Sequence, residues 1–405
     1  MRTYKYILII ILLISFSIII PKIINKRTTR NIFFDENFLN ITESFNKAKN
    51  FLDKCLTGIL IQNKTINLFE RPIVSVVIPL YNREKYISRA IKSIQNQNMI
   101  SLEIILVNDF SLDNTLSIIE EIKREEPRIK ILNNKKNMGT LFSRSIGVLS
   151  AKGKYIFHLD SDDMYLDEDI FSVITNIAIE NNIDIISFKG MASFYDMNKL
   201  SNKIREYWFT PHKSNNVLYQ PELGLLPLIP GTKLGSFLIK DSTLCNKCIK
   251  TDVYQKVLNK IGRERYSRYM ILDEDRTIIY ALFNVAESMK YVKKYGILII
   301  SLIGSTARRS HKFSEIFLYK LYFCDIAIQF AKESYKSRKP LINLIVYLLE
   351  NKALREITQS NEYNKKLIKS CIKRVLNYTY ISNEDKEEIR KRASKLEFLK
   401  EIRHI

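Results

Sequence analysis

Between Ile73 and Phe188 short continuous apolar runs alternate with stretches of helical period. Ile73 to Pro79, Leu102 to Asn108, Arg128 to Leu132, Tyr155 to Leu159 and Ile183 to Phe188 read as strands buried on both faces. Glu84 to Gln95, Asp113 to Glu125, Met138 to Ser150 and Asp167 to Ile179 read as helices. Such alternation predicts an α/β fold, a parallel sheet with helices on both faces. Upstream, Asn31 to Glu70 is a polar stem of helical character, and the pattern changes abruptly at Arg71-Pro72. From Gly190 to Thr306 the pattern is mixed and holds the single tryptophan, Trp208; it reads as a second half built onto the same sheet. Beyond His311 the chain is helical, with Leu341 to Leu349 expected to pack inward.

The first thirty residues have a different character. Ile7 to Ile20 is apolar apart from Ser15 and Ser17, which is short for a span, since about 20 apolar residues cross a bilayer. No small-x-small cleavage site follows, so an uncleaved single-pass signal anchor over residues 1–30 is expected rather than a removed signal peptide. Arg2 and Lys5 flank the run on one side and Lys22, Lys26, Arg27 and Arg30 on the other. This favours a cytosolic body, whereas sequons at Asn40, Asn63 and Asn377 would be usable only in an ER or Golgi lumen. The side of the membrane stays open.

Composition narrows the class. The 405 residues are 46% hydrophobic and 26% charged, with 11 Gly and 9 Pro, which excludes disorder, collagen and coiled coil. The formal net charge is +21, and residues 307–405 hold 22 Lys and Arg against 12 Asp and Glu. Such a surface suits nucleic acid, anionic lipid or phosphorylated ligands. Nucleic acid is disfavoured, because basic and aromatic residues are not interleaved on one face and no binding module is recognisable. Five scattered cysteines make no disulfide framework. Cys245-x-x-Cys248 lacks the further ligands of a zinc site and reads as structural.

In open α/β sheets, ligands bind beyond the carboxyl ends of the strands. Polar clusters stand at three of these ends: Tyr81-Asn82, Asp109 with Ser111 and Asp113, and His158 to Asp163. Asp160-x-Asp162 supplies hard oxygen ligands suited to Mg²⁺ or Mn²⁺, which would stabilise a departing pyrophosphate. Asp109 could accept a hydrogen bond from a base N–H or fix a turn, and Asp113 reads as a helix cap. The run Asp273-Glu274-Asp275 opens a helix, where carboxylates complement the dipole, or else points one acid into the cleft as a general base.

Taken together, Val74-Ser75-Val76-Val77-Ile78-Pro79-Leu80-Tyr81-Asn82, Glu103-Ile104-Ile105-Leu106-Val107-Asn108-Asp109-x-Ser111-x-Asp113, Asn137-x-Gly139, Arg144, Gly147, Ala151-x-Gly153-x-Tyr155 and Leu159-Asp160-Ser161-Asp162-Asp163 resemble the family 2 glycosyltransferases. The resemblance implies a GT-A fold, Rossmann-like in a donor half (residues 71–189) and continued by an acceptor half (residues 190–306), with a basic helical region over 307–405. It implies a nucleotide-sugar donor, a saccharide, lipid or protein acceptor, Mn²⁺ or Mg²⁺, and inversion at the anomeric carbon. By motif, Pro79, Tyr81, Asn82, Asp109, Arg144 and Asp160 would line the donor site, with Tyr81 and Asp109 on the base and Asp160 on the ribose side. Asp162 would hold the metal. Leu244-Cys245-Asn246-Lys247 is similar to the family's WNKLY element, Glu274-Asp275 to its ED motif with Asp275 as base, and Ser305-Thr306 to its SIT. Ser145 and Cys245 depart from the usual Asn and Trp. A polyprenyl-phosphate acceptor on the cytosolic face is the rival within the class, and a catalytically silent scaffold a further one.

Overall fold

Val74-Ser75-Val76-Val77-Ile78-Pro79-Leu80 forms β1 (Val74–Leu80), and its side chains alternate between two cores. Val74, Val76, Ile78 and Leu80 enter one, while Val77 enters the other. The same split holds for Ile104 and Leu106 against Ile105 and Val107 in β2 (Leu102–Asn108), and for Tyr155 and Phe157 against Ile156 in β4 (Tyr155–His158). Successive strand residues point to opposite faces, so a continuous apolar run is what a sheet covered on both sides requires.

The computed structural model describes residues 71–99, 101–195, 204–206, 218–219, 243–302, 313–331, 335–350, 362–396 and 399–400. The anchor and stem, Trp208, Ser305-Thr306 and the sequons at Asn40 and Asn63 lie outside them. Among the described residues no helix is long and apolar enough to cross a membrane.

One sheet runs in the order β3-β2-β1-β4-β9-β6-β10-β5. Here β3 is Ile129–Asn133, β5 Met164–Tyr165, β6 Ile185–Tyr195, β9 Lys247–Lys250 and β10 Ser288–Leu302; β7 (Ile204–Glu206) and β8 (Leu218–Tyr219) pair β6 and β10 at the side. The first four strands in that order are mutually parallel, as are β6 and β10. The sheet is mostly parallel, as the resemblance implies, with antiparallel members: β9 runs antiparallel to both β4 and β6 and β5 antiparallel to β10. At four residues β9 has no periodicity of its own, and it starts inside the Cys245-x-x-Cys248 element, taking in Lys247 and Cys248. Cys245, Cys248, Cys324 and Cys371 are free and buried.

Helices α1 (Ile87–Gln95), α2 (Thr115–Glu125), α3 (Thr140–Ser150) and α4 (Ile170–Glu180) cover the strands, each beginning two or three residues later than its apolar period. Polar side chains take those first residues for other bonds. Asp113 Oδ1 accepts from the Thr115 N–H at 3.0 Å and its Oδ2 from the Glu84 N–H at 3.2 Å, while Asp167 and Asp169 pair with Lys294. Close packing seats α3, because a Cβ on Gly147 would stand 2.5 Å from Val77 Cγ1.

Helices α5 (Thr251–Ile261), α6 (Arg263–Tyr266) and α7 (Glu274–Val285) follow β9. Then come α8 (Phe313–Ala327), α9 (Tyr335–Glu350), α10 (Glu362–Asn377) and α11 (Asn383–Ala393). These last four share one apolar core with α3, α5 and α7, and Leu341, Ile342, Leu344, Ile345, Leu348 and Leu349 all enter it. A buried ion cluster fixes the junction. Asp325 on α8 accepts from Arg268 Nη1 at 2.7 Å, Arg374 Nη2 at 2.7 Å and Arg374 Nε at 2.9 Å. Burial alone would raise this carboxyl, but the hydrogen bonds and charges of Arg374 and Arg268 outweigh it and hold the group below its ordinary value.

Asp325→Ala strands Arg268 and Arg374 and is expected to remove about 3–5 kcal/mol of stability, read as a lower urea midpoint at pH 7. Because the folded pKa is depressed, the contribution is complete above the ordinary carboxylate value of about 3.9 and fades as pH falls through the folded one. Wild-type and variant midpoints should therefore converge only in that acid range.

Candidate active site

Strand register sets the geometry. Leu80 lies opposite Asn108, Asn108 opposite Asn133, and Val77 opposite His158, so the loops leaving β1, β2, β3 and β4 emerge along one margin. The first two are latched together: Asn82 Oδ1 accepts from Leu112 N at 2.8 Å, and Ser111 Oγ from Asn82 N at 3.1 Å. Arg83 N donates to Thr115 Oγ1 at 2.7 Å, and Arg83 Nε to Ser161 Oγ at 3.1 Å. Asn82 and Phe110 take left-handed φ values of 54° and 63°. Pro79 is half-buried in β1, while Tyr81 and Phe110 present exposed rings at the margin.

Asp109 is buried and turned inward. Its carboxylate accepts from Asn134 Nδ2 and Met138 N at 2.7 Å and from Gly139 N at 2.8 Å, which binds the β3–α3 loop to the end of β2. Gly139 begins the helix at φ 85°, and a Cβ there would meet Met270 N at 2.9 Å. Leu141 N donates to Met270 O at 3.2 Å. The segment leading into α7 is thereby pressed against the start of α3.

That contact brings distant carboxylates to Arg144. Its guanidinium, 4% exposed, donates through Nη2 to Asp160 Oδ1 at 2.5 Å. Through Nη1 it pairs with Asp275 Oδ1 and approaches Glu274 Oε1 at 3.6 Å. Asp275 Oδ2 also accepts from Leu244 N at 3.2 Å and Thr243 Oγ1 at 3.3 Å. Burial would lower the Arg144 pKa, yet the charges of Asp160 and Glu274 raise it. Glu274 is pushed up by burial, against the pull of Arg144. The acidic run thus serves two ends at once: Glu274 and Asp275 fill the first turn of α7 and face Arg144.

Past β4 the chain turns through Asp160, Asp162 and Asp163. Arg89 Nη2 of α1 holds the Asp162 carbonyl at 2.8 Å, and Asp163 Oδ1 accepts from Ile300 N of β10 at 2.8 Å. Burial and then the charge of Asp160 push the Asp162 carboxyl up, and burial with Asp160 and Asp162 drives Asp163 well above its usual range. Ligand atoms of Asp160, Asp163 and Cys245 lie within 4.8 Å of one another. This crowding of carboxylates fits a divalent cation. The oxygens suit Mg²⁺ or Mn²⁺; the buried Cys245 thiol, its pKa raised by burial, does not. Asp162, which the resemblance assigns to the metal, neighbours this group without belonging to it.

The structure therefore brings Arg144, Asp160, Glu274 and Asp275 into direct contact, with Asp162 beside them. Tyr81 and Asn82 lie along the same margin, and Asp109 supports its wall. Sequence reasoning placed His158 and Asp163 in the polar cluster after β4 without giving either a role, and it passed over Thr243, which carries no motif signal.

Among known proteins, an uncharacterized glycosyltransferase of Haemophilus influenzae is 43% identical over 112 residues, 28% of this chain and 35% of its own. The GalNAc(5)-diNAcBac-PP-undecaprenol beta-1,3-glucosyltransferase of Campylobacter jejuni is 38% identical over 96 residues, 24% of this chain and 31% of its own. The chain thus matches about a third of the length of these relatives. The crystal structure of S. aureus TarS 1-349 in complex with UDP-GlcNAc superposes with a TM-score of 0.47 at 17% identity, covering 82% of this chain and 91% of that one. Residues 75–230, somewhat over a third of the chain, match the family described as Glycosyl transferase family 2.

Proposed function

We propose that this chain is an inverting, metal-dependent enzyme of GT-A type that moves a sugar from a nucleotide-sugar, a UDP-sugar, to an acceptor hydroxyl. The observation carrying the proposal is the grip of one buried guanidinium on Asp160 from β4 and on Glu274 and Asp275 from α7. In this reading a donor-side acid and a base are held on one guanidinium at the strand ends.

In this reading Tyr81 and Asn82 border the base, Asp109 keeps the adjoining wall in place, and Asp160 faces the ribose side. Asp162, with Asp160 and Asp163 near it, would hold Mn²⁺ or Mg²⁺. A bound divalent ion supplies charge that stabilises the departing nucleoside diphosphate. Asp275 takes the proton of the acceptor hydroxyl as that oxygen attacks the anomeric carbon from the face opposite the leaving group, which gives inversion. Arg144 and the Leu244 N–H orient its carboxylate for that transfer. Glu274, nearly buried, screens Arg144 from solvent and completes the acidic rim.

A lipid-linked acceptor, polyprenyl-phosphate among them, is the second reading. The Campylobacter jejuni relative is named for a PP-undecaprenol substrate, and this chain pairs an apolar N-terminal run with a net charge of +21. In that reading residues 7–20 anchor the enzyme in a membrane.

Asp275→Asn should lower kcat about 10²–10⁴-fold, the range for losing a positioned base, while donor binding persists. Asp162→Ala should abolish transfer and also weaken Mn²⁺-dependent donor binding, measured by calorimetry. Full turnover in either variant removes the role assigned to it. Chelation by EDTA should stop release of nucleoside diphosphate and Mn²⁺ should restore it; turnover that survives chelation contradicts the metal requirement.

A further inference from the structure

The first residue of β9 is a lysine shut off from solvent. Lys247 is fully buried, and its Nζ donates to Thr243 O and to Asn246 Oδ1, both at 2.9 Å. An amino group enclosed in protein is tolerated only when its donors are met, so this burial obliges the preceding turn to keep the shape that offers both oxygens. The backbone closes the same turn, since Lys247 N donates to Leu244 O at 3.1 Å.

Asn246 ties the turn to the sheet. Its Nδ2 donates to Phe188 O of β6 at 2.9 Å, and Phe188 N donates to Asn246 O at 3.0 Å. The other end of the turn meets the acid of α7: Leu244 N and Thr243 Oγ1 donate to Asp275 Oδ2 at 3.2 and 3.3 Å. The Asp275 side chain is still 22% exposed, so its direction depends on these donors and on Arg144 rather than on enclosure. Between the end fixed at Asn246 and the end that meets Asp275, the Lys247 amino group is the strut, bonded to both.

We infer that Lys247 is a positioning residue for Asp275. By holding Thr243 O against the sheet-anchored Asn246, it sets the Thr243 hydroxyl and the Leu244 N–H at Oδ2, and these fix the carboxylate from the side opposite Arg144. The inference rests on the reading of Asp275 as the base.

Lys247→Met and Thr243→Val are each made in the wild-type enzyme and in Asp275→Asn, and release of nucleoside diphosphate is followed with thermal midpoints alongside. Met keeps the length of the side chain but removes its donors, and kcat should fall about 10–100-fold, the scale of a reacting group displaced by up to about 1 Å, with donor KM little changed. Thr243→Val removes one hydroxyl at a half-buried position and should lower kcat by a smaller factor. Neither substitution should slow Asp275→Asn further, because residues that act as a unit are not additive. Wild-type kcat in Lys247→Met, or the same loss in both backgrounds, overturns the role; if Lys247→Met does not fold, Thr243→Val decides on the same two criteria. Normal turnover in Asp275→Asn sinks the base reading and this inference with it. A slow Asp275→Asn beside a fully active Lys247→Met sinks the Lys247 inference alone.

Discussion

One enclosed cation surrounded by acids organises this protein. Arg144 is almost without solvent, and a guanidinium in that position must be paired to be tolerated. Its partners come from two separate parts of the chain: Asp160 from the turn after β4, Glu274 and Asp275 from the first turn of α7. Coulomb attraction strengthens as water is excluded, so the same burial that makes the pairing obligatory makes it geometrically firm. The single charge does not neutralise its surroundings. With Asp162 and Asp163 close by, burial and the mutual repulsion of the acids push these carboxyls up, a crowding that a divalent ion would relieve.

Everything that seats this cluster lies outside it. Asp109 spends its carboxylate on the loop before α3, Gly139 lets Met270 come against the helix start, and Gly147 lets α3 lie tightly on β1. On the far side Asp325 ties Arg268, in the segment leading to α7, to Arg374 in the C-terminal helices. The C-terminal helices α8 to α11 therefore share one apolar core with α3, α5 and α7.

Sequence alone carried the first, parallel part of the sheet far. The strand Leu102–Asn108 appears with the bounds its apolar run gives, and the acids of β2 and β4 stand at strand ends as expected. Helix starts were misjudged because Asp113, Glu84, Asp167 and Asp169 divert the first residues into side-chain bonds, which periodicity does not register. The antiparallel β9 escaped because four residues are too few to show a period. Arg144 and Asp275 are more than a hundred residues apart, and no local pattern could announce their contact. The inward turn of Asp109 is equally hidden in sequence, since a carboxylate at a strand end suits a base N–H and a backbone N–H with equal reason.

The central claim is that the acids gathered at Arg144 form a cation-dependent sugar-donor site. Anomalous diffraction from crystals grown with Mn²⁺ and a UDP-sugar tests it most directly. The account predicts one strong manganese peak within coordinating distance of the Asp160–Asp163 turn, with the diphosphate on the ion and the Asp275 carboxylate facing the anomeric carbon. Manganese or nucleotide bound away from that turn, or Asp275 directed away from the sugar, would contradict it.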